Sequence, residues 1–213
     1  MVGSKLPTVD FVEATKGRRP QGEHLPMNLD LGCGSRASDA VGIDISLNSL
    51  CSRHGMSVCG RGEHLPFADE TFDCVDSFVA LPYMNVPKAI QEVYRVLKPQ
   101  GVFRAKVHPA SFTLAEMKHS TQWRNIFYRM YVLVNGLALH MLSRNFRLPY
   151  RNRCESFQTR RGMERVMRRA GFEIEKSEWN TTIGWPHAGT CWVIGKKVAE
   201  ETRVMAAQEK RQT

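Results

Sequence analysis

The chain has no Cys-x-x-Cys pair; its six cysteines, Cys33, Cys51, Cys59, Cys74, Cys154 and Cys191, are scattered through 213 residues. That spacing excludes the common zinc patterns and is too sparse for a disulfide framework, so reduced thiols, a cytoplasmic setting and no bound metal are expected. The opening Met1-Val2-Gly3-Ser4-Lys5-Leu6-Pro7 lacks the apolar core of a signal peptide, which argues against export. The longest greasy stretch, Ile126 to Leu142, is interrupted by Arg129, Asn135 and His140 and is already short for a bilayer, so no transmembrane segment is expected. Acids are scarce in one place. Between Arg104 and Ala170 stand 14 Lys and Arg against Glu116, Glu155 and Glu164, or +11 of a formal total of +9, so the rest of the chain carries about −2. Such a field can attract phosphates, anionic lipids or acidic substrates, or it can be a solvated basic face.

What is present is an ordinary globular composition, 42% hydrophobic and 24% charged, at a length that fits one elaborated domain. Its centre is Met27-Asn28-Leu29-Asp30-Leu31-Gly32-Cys33-Gly34, an apolar strand that ends in an acid and breaks into Gly-x-Gly. Two glycines after a strand give a loop that a bulky small molecule can approach closely, although the same pattern serves as turn punctuation. A second apolar strand follows, Val41-Gly42-Ile43-Asp44-Ile45, with an acid near its end. In a dinucleotide fold the ribose-binding acid stands about 20 residues past the glycines, across a helix. Here Gly32 and Asp44 are 12 apart, so Ser35 to Ala40 should form a loop in place of the crossover helix.

Ser46 is placed to cap a helix carrying Leu47 and Leu50 and closing near Gly55, followed by strands at Met56 to Val58 and Cys74 to Val79. Pro87 can start a helix with Val86, Ile90, Val93 and Leu97 at helical spacing, stopped by Lys98-Pro99-Gln100-Gly101 before a strand from Val102 to Val107. In that strand Arg104 and Lys106 share one face, and a sheet face left open by the missing crossover helix would accommodate them. Thr159 can cap a helix with Met163, Val166, Met167 and Ala170 on one side and Gly171 at its end. Phe172 to Glu175 and Cys191 to Gly195 read as a final antiparallel pair, and residues 199–213 as a polar tail.

Four segments in order, Leu29-Asp30-Leu31-Gly32-Cys33-Gly34, Gly42-Ile43-Asp44, Leu65-Pro66-Phe67 with Phe72-Asp73, and Arg95-Val96-Leu97-Lys98-Pro99-Gln100-Gly101, resemble the class I S-adenosylmethionine-dependent methyltransferases. They are most similar to the small-molecule branch typified by ubiquinone and menaquinone methyltransferases. The resemblance implies a Rossmann-like α/β three-layer sandwich, with a mostly parallel seven-stranded sheet, an antiparallel last strand and a shortened first crossover. It implies an N-terminal arm over residues 1–26, a methyltransferase domain over 27–198 with a helical lid at 108–154, and the tail. It implies S-adenosyl-L-methionine as cofactor, with Asp30, Gly32, Cys33 and Gly34 at its methionine half. Asp44 would take the ribose hydroxyls beside Ile45, and Gly62, Glu63, Ser77 and Phe78 would stand nearer the adenine. Where the family usually has an acid for the adenine amino group, this chain has Arg61, which cannot accept a hydrogen bond. Leu81-Pro82-Tyr83 follows the fourth strand as the Asn/Asp-Pro-Pro-Tyr motif of amino-group methyltransferases does, but lacks its amide or acid.

Methyl transfer is an in-line displacement, so a base is optional; His108, just past the fifth strand, is the best placed, with His187 and Tyr83 next. A greasy insertion flanked by Arg124, Arg129, Arg144, Arg147, Arg151 and Arg153 would suit a lipophilic or acidic small-molecule acceptor. The same helix could instead be a core helix, a dimer interface or a membrane-surface element, and an RNA or protein acceptor stays open. Two other functions compete. Gly32-Cys33-Gly34-Ser35-Arg36-Ala37 fits the Gly-x-Gly-x-x-Ala of nicotinamide-dependent oxidoreductases without their phosphate-binding helix, and Arg61 with the shortened loop would also suit a non-catalytic S-adenosylmethionine-binding module.

Overall fold

A computed structural model describes residues 26–107, 123–148, 154–180 and 190–198. Seven strands, β1 (Asn28–Leu31), β2 (Val41–Asp44), β3 (Ser57–Cys59), β4 (Phe72–Phe78), β5 (Leu97–Val107), β6 (Phe172–Asn180) and β7 (Thr190–Lys197), form one sheet in the order β3-β2-β1-β4-β5-β7-β6. The first five pair in parallel, and β7 runs antiparallel to both β5 and β6. This is the Rossmann-like arrangement expected, including the shortened first crossover: the chain passes from β1 to β2 through turns alone.

Among the described residues four α-helices accompany the sheet: α1 (Leu47–Cys51), α2 (Val86–Val96), α3 (Trp123–Leu142) and α4 (Arg160–Ala170). Their ends are set locally. Ser46 accepts from Ser49 N, Asn85 from Lys88 N and Thr159 from Gly162 N, and Gly171 closes α4 in the left-handed region at φ 109°. One face of the sheet carries Leu29, Leu31, Val75, Phe103, Ala105 and Val193, and α2 and α4 bury it with Ile90, Val93, Met163 and Met167 in one continuous core. Arg95 in the last turn of α2 fastens the segment between β3 and β4. It donates to the carbonyls of Leu65 and Phe67 and to Asp69 and Glu92, while Glu92 accepts from Leu65 N, so the two motifs are tied together. The Arg95 hydrogen bond holds the Glu92 carboxyl below its ordinary range.

The opposite face is open enough for charge. Asp30, Asp76, Arg104 and Ile194 are neighbours in register across β1, β4, β5 and β7, and Asp76 takes Arg104 in a two-pronged pair at 2.6 Å on each oxygen. Arg104 is exposed, and Lys106 lies 5.6 Å from the centre of the Trp192 ring, so neither cation is buried without a partner. Several boundaries differ from expectation, those of β3 and β4 by one or two residues. α1 ends at Cys51, four residues before Gly55. β6 and β7 run beyond the ranges read from their apolar residues. Lys98-Pro99-Gln100-Gly101 lies inside β5, where Leu97 pairs with Phe72, the register then shifts, and Gln100 takes φ 67°. Helix α2 does stop before these turn residues, and within the strand they make a bulge. Residues 1–25 of the expected arm at 1–26, the tail at 199–213 and the segment holding His187 lie outside the described residues.

Candidate cofactor cleft

Beyond the carboxyl ends of β1 and β2 lies a cleft of about 260 Å³. Open α/β sheets place ligands at this position. Its floor is Leu31 and Gly32 from the end of β1, one wall is Ile43 to Ser46 from β2, another is Gly60 to Glu63, and Ala80, Tyr83 and Met84 close the side after β4.

Glycine is required on the floor. Gly32 has φ +70°, and a Cβ added there would stand 2.1 Å from the Ala80 Cβ. Gly62 is similar in consequence, because a Cβ would meet the Met84 sulfur at 2.6 Å and Leu31 at 3.0 Å. The N–H groups of Gly32 and Cys33 both donate to the Ile43 carbonyl, locking the loop against β2.

Asp44 is the one carboxylate in the β2 wall. Its Oδ2 accepts from Gly34 N at 2.9 Å and its Oδ1 from Ser46 N at 2.8 Å, so it ties the glycine loop to the start of α1. Each carboxylate oxygen has two lone pairs, and one on each remains for a neighbouring diol. Glu63 also lines the cleft, but its Oε1 accepts from Asn85 N at the start of α2. Arg61 lines the same wall and forms an isolated antiparallel bridge with His64.

The ten expected cofactor residues divide. Gly32, Asp44, Ile45, Gly62 and Glu63 line the cleft; Asp30, Cys33, Gly34, Ser77 and Phe78 do not. Asp30 is only 2% exposed, and its carboxylate is taken by the Arg36 guanidinium, whose Nε stands at 3.2 Å and whose Nη2 reaches the other oxygen. The same guanidinium stacks on Phe78, 3.8 Å from the ring centre. A buried carboxylate needs a cation, and the short loop supplies one where a helix would otherwise stand. Cys33 is packed beneath the loop, and burial pushes its thiol up to about 11, so it is a wall and not a nucleophile. Gly34 serves through its N–H to Asp44. Ser77 is fully buried, with its hydroxyl unpaired. His108 lies outside the described residues. Ser46 and Met84 line the cleft without having been singled out; only their positions, directly after β2 and after the Leu81–Tyr83 turn, could have indicated them.

The insertion meets the cleft indirectly. None of its described residues lines the cleft, yet its Asn145 accepts from Val86 N and Ser156, just after it, donates its N–H to the Pro82 carbonyl, gripping the turn that carries Tyr83 and Met84. Behind this grip is a polar cluster: Glu155 receives Tyr128 and Arg129, and Asn135 bonds the Glu155 carbonyl and Phe146 N. His140 accepts from Thr159 N at 3.1 Å, and burial pushes its imidazole down to about 4, so it is neutral near pH 7.

Residues 29–105 match a family described as a methyltransferase domain. Human mitochondrial arginine-hydroxylase NDUFAF5 is 33% identical over 115 residues, 46% of this chain and 33% of that protein. Malonyl-[acyl-carrier protein] O-methyltransferase of Dechloromonas aromatica is 34% identical over 110 residues, 43% of this chain and 40% of that protein. The chain spans about a third of the length of the first curated relatives it matches. A solved S-adenosylmethionine-dependent methyltransferase from Thermotoga maritima superposes with a TM-score of 0.57 at 18% identity, covering 81% of this chain and 82% of that one. The family match contains every residue that lines the cleft. Residues 29–105 therefore match a methyltransferase domain, and the chain has the Rossmann-like fold of that solved S-adenosylmethionine-dependent methyltransferase.

Proposed function

We propose that the chain transfers a methyl group from S-adenosyl-L-methionine to a small acceptor of lipophilic or acidic character. The observation that carries this reading is Asp44: a carboxylate at the end of β2, fixed by two backbone N–H groups with a lone pair left on each oxygen, facing a cleft where Gly32 on the floor and Gly62 in the wall exclude any Cβ. The residues present fit a nucleoside with a vicinal diol and a flexible tail. When bound, the sulfonium supplies an electrophilic methyl group. The chain's own part is to hold and to dry: Asp44 accepts from the diol, Leu31, Ile43 and Met84 form apolar walls, and Tyr83 stands where the cleft opens to solvent. Alignment and exclusion of water supply most of such a reaction. For an oxygen acceptor, His108 is assigned as the base, with Tyr83 the alternative.

The malonyl-carrier methyltransferase among the relatives acts, by its name, on an acidic acyl group, which supports an acidic acceptor. A cytoplasmic setting belongs to the same reading. Among the described residues no helix is long and apolar enough to cross a membrane, so contact with lipid would be at the surface. Calorimetry with S-adenosylmethionine, its demethylated product and NAD tests the cofactor. Binding of NAD alone would replace this reading by the oxidoreductase, and sulfonium binding with no methyl transfer to any acceptor in an extract would leave a binding module.

A further inference from the structure

Helix α3 has two apolar faces, and the fold uses one. Val132, Asn135, Gly136 and Leu139 are buried against the body; a Cβ on Gly136 would stand 2.2 Å from the Phe157 ring. On the opposite side Phe127, Met130, Val134, Leu137 and Met141 are each 48–72% exposed. Their spacing is 3, 4, 3, 4, which is the a/d repeat of a coiled coil and draws a narrow seam along the helix. Leu142 and Phe146 extend the patch beyond the helix end. At these exposures the seven side chains present about 700 Å² of apolar surface, more than a monomer ordinarily leaves in water and close to the roughly 800 Å² that each partner buries in a standard interface.

We propose that a second copy of this chain covers the seam, α3 against α3 in antiparallel orientation about a twofold axis near Val134. The flanks fit a copy of themselves. Ala138 and Tyr131 border one side and Ile126 and Leu133 the other, all half-buried and none ionised at neutral pH, so the central turns of two identical seams meet no like charge; Arg124 lies one turn before the first seam residue. Antiparallel pairing sets Phe127 against the partner's Met141 and Met130 against the partner's Leu137, with the two valines at the axis. It also separates the basic ends. Arg144 and Arg147 follow α3, and the Arg165 and Arg169 side chains reach back to the His140 carbonyl and Ser143, so a parallel pair would bring two arginine clusters together. Twenty residues of helix hold them about 30 Å apart in the antiparallel pair, beyond roughly three screening lengths at physiological salt. A membrane-surface helix carries cations along the rim of its apolar face. Of the two arginines of α3, Arg124 and Arg129, Arg129 is instead paired with Glu155.

Sedimentation velocity on the full chain at micromolar concentration should show a dimer. Phe127→Glu and Met141→Lys should each give a folded monomer that still binds S-adenosylmethionine, and the double variant should recover the dimer, because each Glu then faces a Lys across the antiparallel seam. A monomeric wild type overturns the proposal, as does flotation of the wild type with phosphatidylglycerol vesicles that Val134→Glu abolishes, which would assign the seam to lipid. A dimer that survives both single variants places the interface elsewhere. Recovery in the double variant separates a specific seam from a general loss of solubility.

Discussion

Replacing Arg36 by Met tests the role of the shortened loop most directly. Asp30 is 2% exposed, and its carboxylate receives two guanidinium nitrogens from Arg36, so the variant leaves a buried anion without its cation. Breaking a buried pair costs about 3–5 kcal/mol. The Arg36 side chain is 38% exposed, so water can enter the vacated side and the cost should fall near the lower end, about 3 kcal/mol. Methionine keeps part of the contact with Phe78, so little of this is lost packing. For a chain of this size the melting temperature should drop by about 9 °C. Asp30→Asn removes the charge while keeping the shape, and Arg36 can then turn to solvent, at a cost of about 1 kcal/mol. The double variant should be scarcely worse than Asp30→Asn alone, giving a coupling energy of about 3 kcal/mol. Guanidinium unfolding of the four proteins, followed by tryptophan fluorescence, measures the cycle. A cost below 1 kcal/mol for Arg36→Met, or additive single effects, would refute the argument that the loop exists to neutralise Asp30.

Three further outcomes follow from the geometry. Asp44→Ala removes the acceptor for the diol and unties Gly34 from Ser46, and should weaken S-adenosylmethionine binding by about 10–100-fold in calorimetry while leaving the far-ultraviolet dichroism unchanged. Gly32→Ala forces a side chain into φ +70° and against Ala80, and should destabilise by about 3 kcal/mol in thermal unfolding. His140, neutral in the fold with its imidazole lowered to about 4, binds fewer protons folded than unfolded between pH 4 and 6.5; its contribution is complete above 6.5 and is lost as pH falls toward 4. Discounted for its partial exposure, the loss should be about 2 kcal/mol, and denaturant titrations at both ends of that range should show it in the wild type and not in His140→Gln.

Much of the sheet was legible because its strands carry the pattern of their burial. Leu29 and Leu31, Ile43, Val75, and Phe103 with Ala105 are apolar where α2 and α4 cover them, and Ser46, Thr159 and Gly171 mark helix ends by chemistry that acts within four residues. The interval from Gly32 to Asp44 announced the loop, since 12 residues cannot hold a crossover helix. The charged face of β5 was visible as an anomaly, and Asp76 explains it only because β4 and β5 bring the two residues into register.

The cleft was half legible. Gly32 and Asp44 belong to a local motif, whereas Ser46 and Met84 reach the cleft through the packing of separate elements. Asp30 illustrates the limit: its position in a strand was readable, but that Arg36 would claim it depended on where a six-residue loop folds back. Helix α3 shows it again. Its sequence is apolar all round, which is as consistent with a core helix as with a lid or an interface, and only the placement of Leu139 and Val132 against the body identified the seam left over. The sequence by itself determined periods, caps and spacings, because these depend on covalent neighbours. Which acid a cation neutralises, which glycine floors a cavity and which apolar face stays in water were decided by tertiary structure, because each depends on residues distant in the chain meeting within a few ångströms.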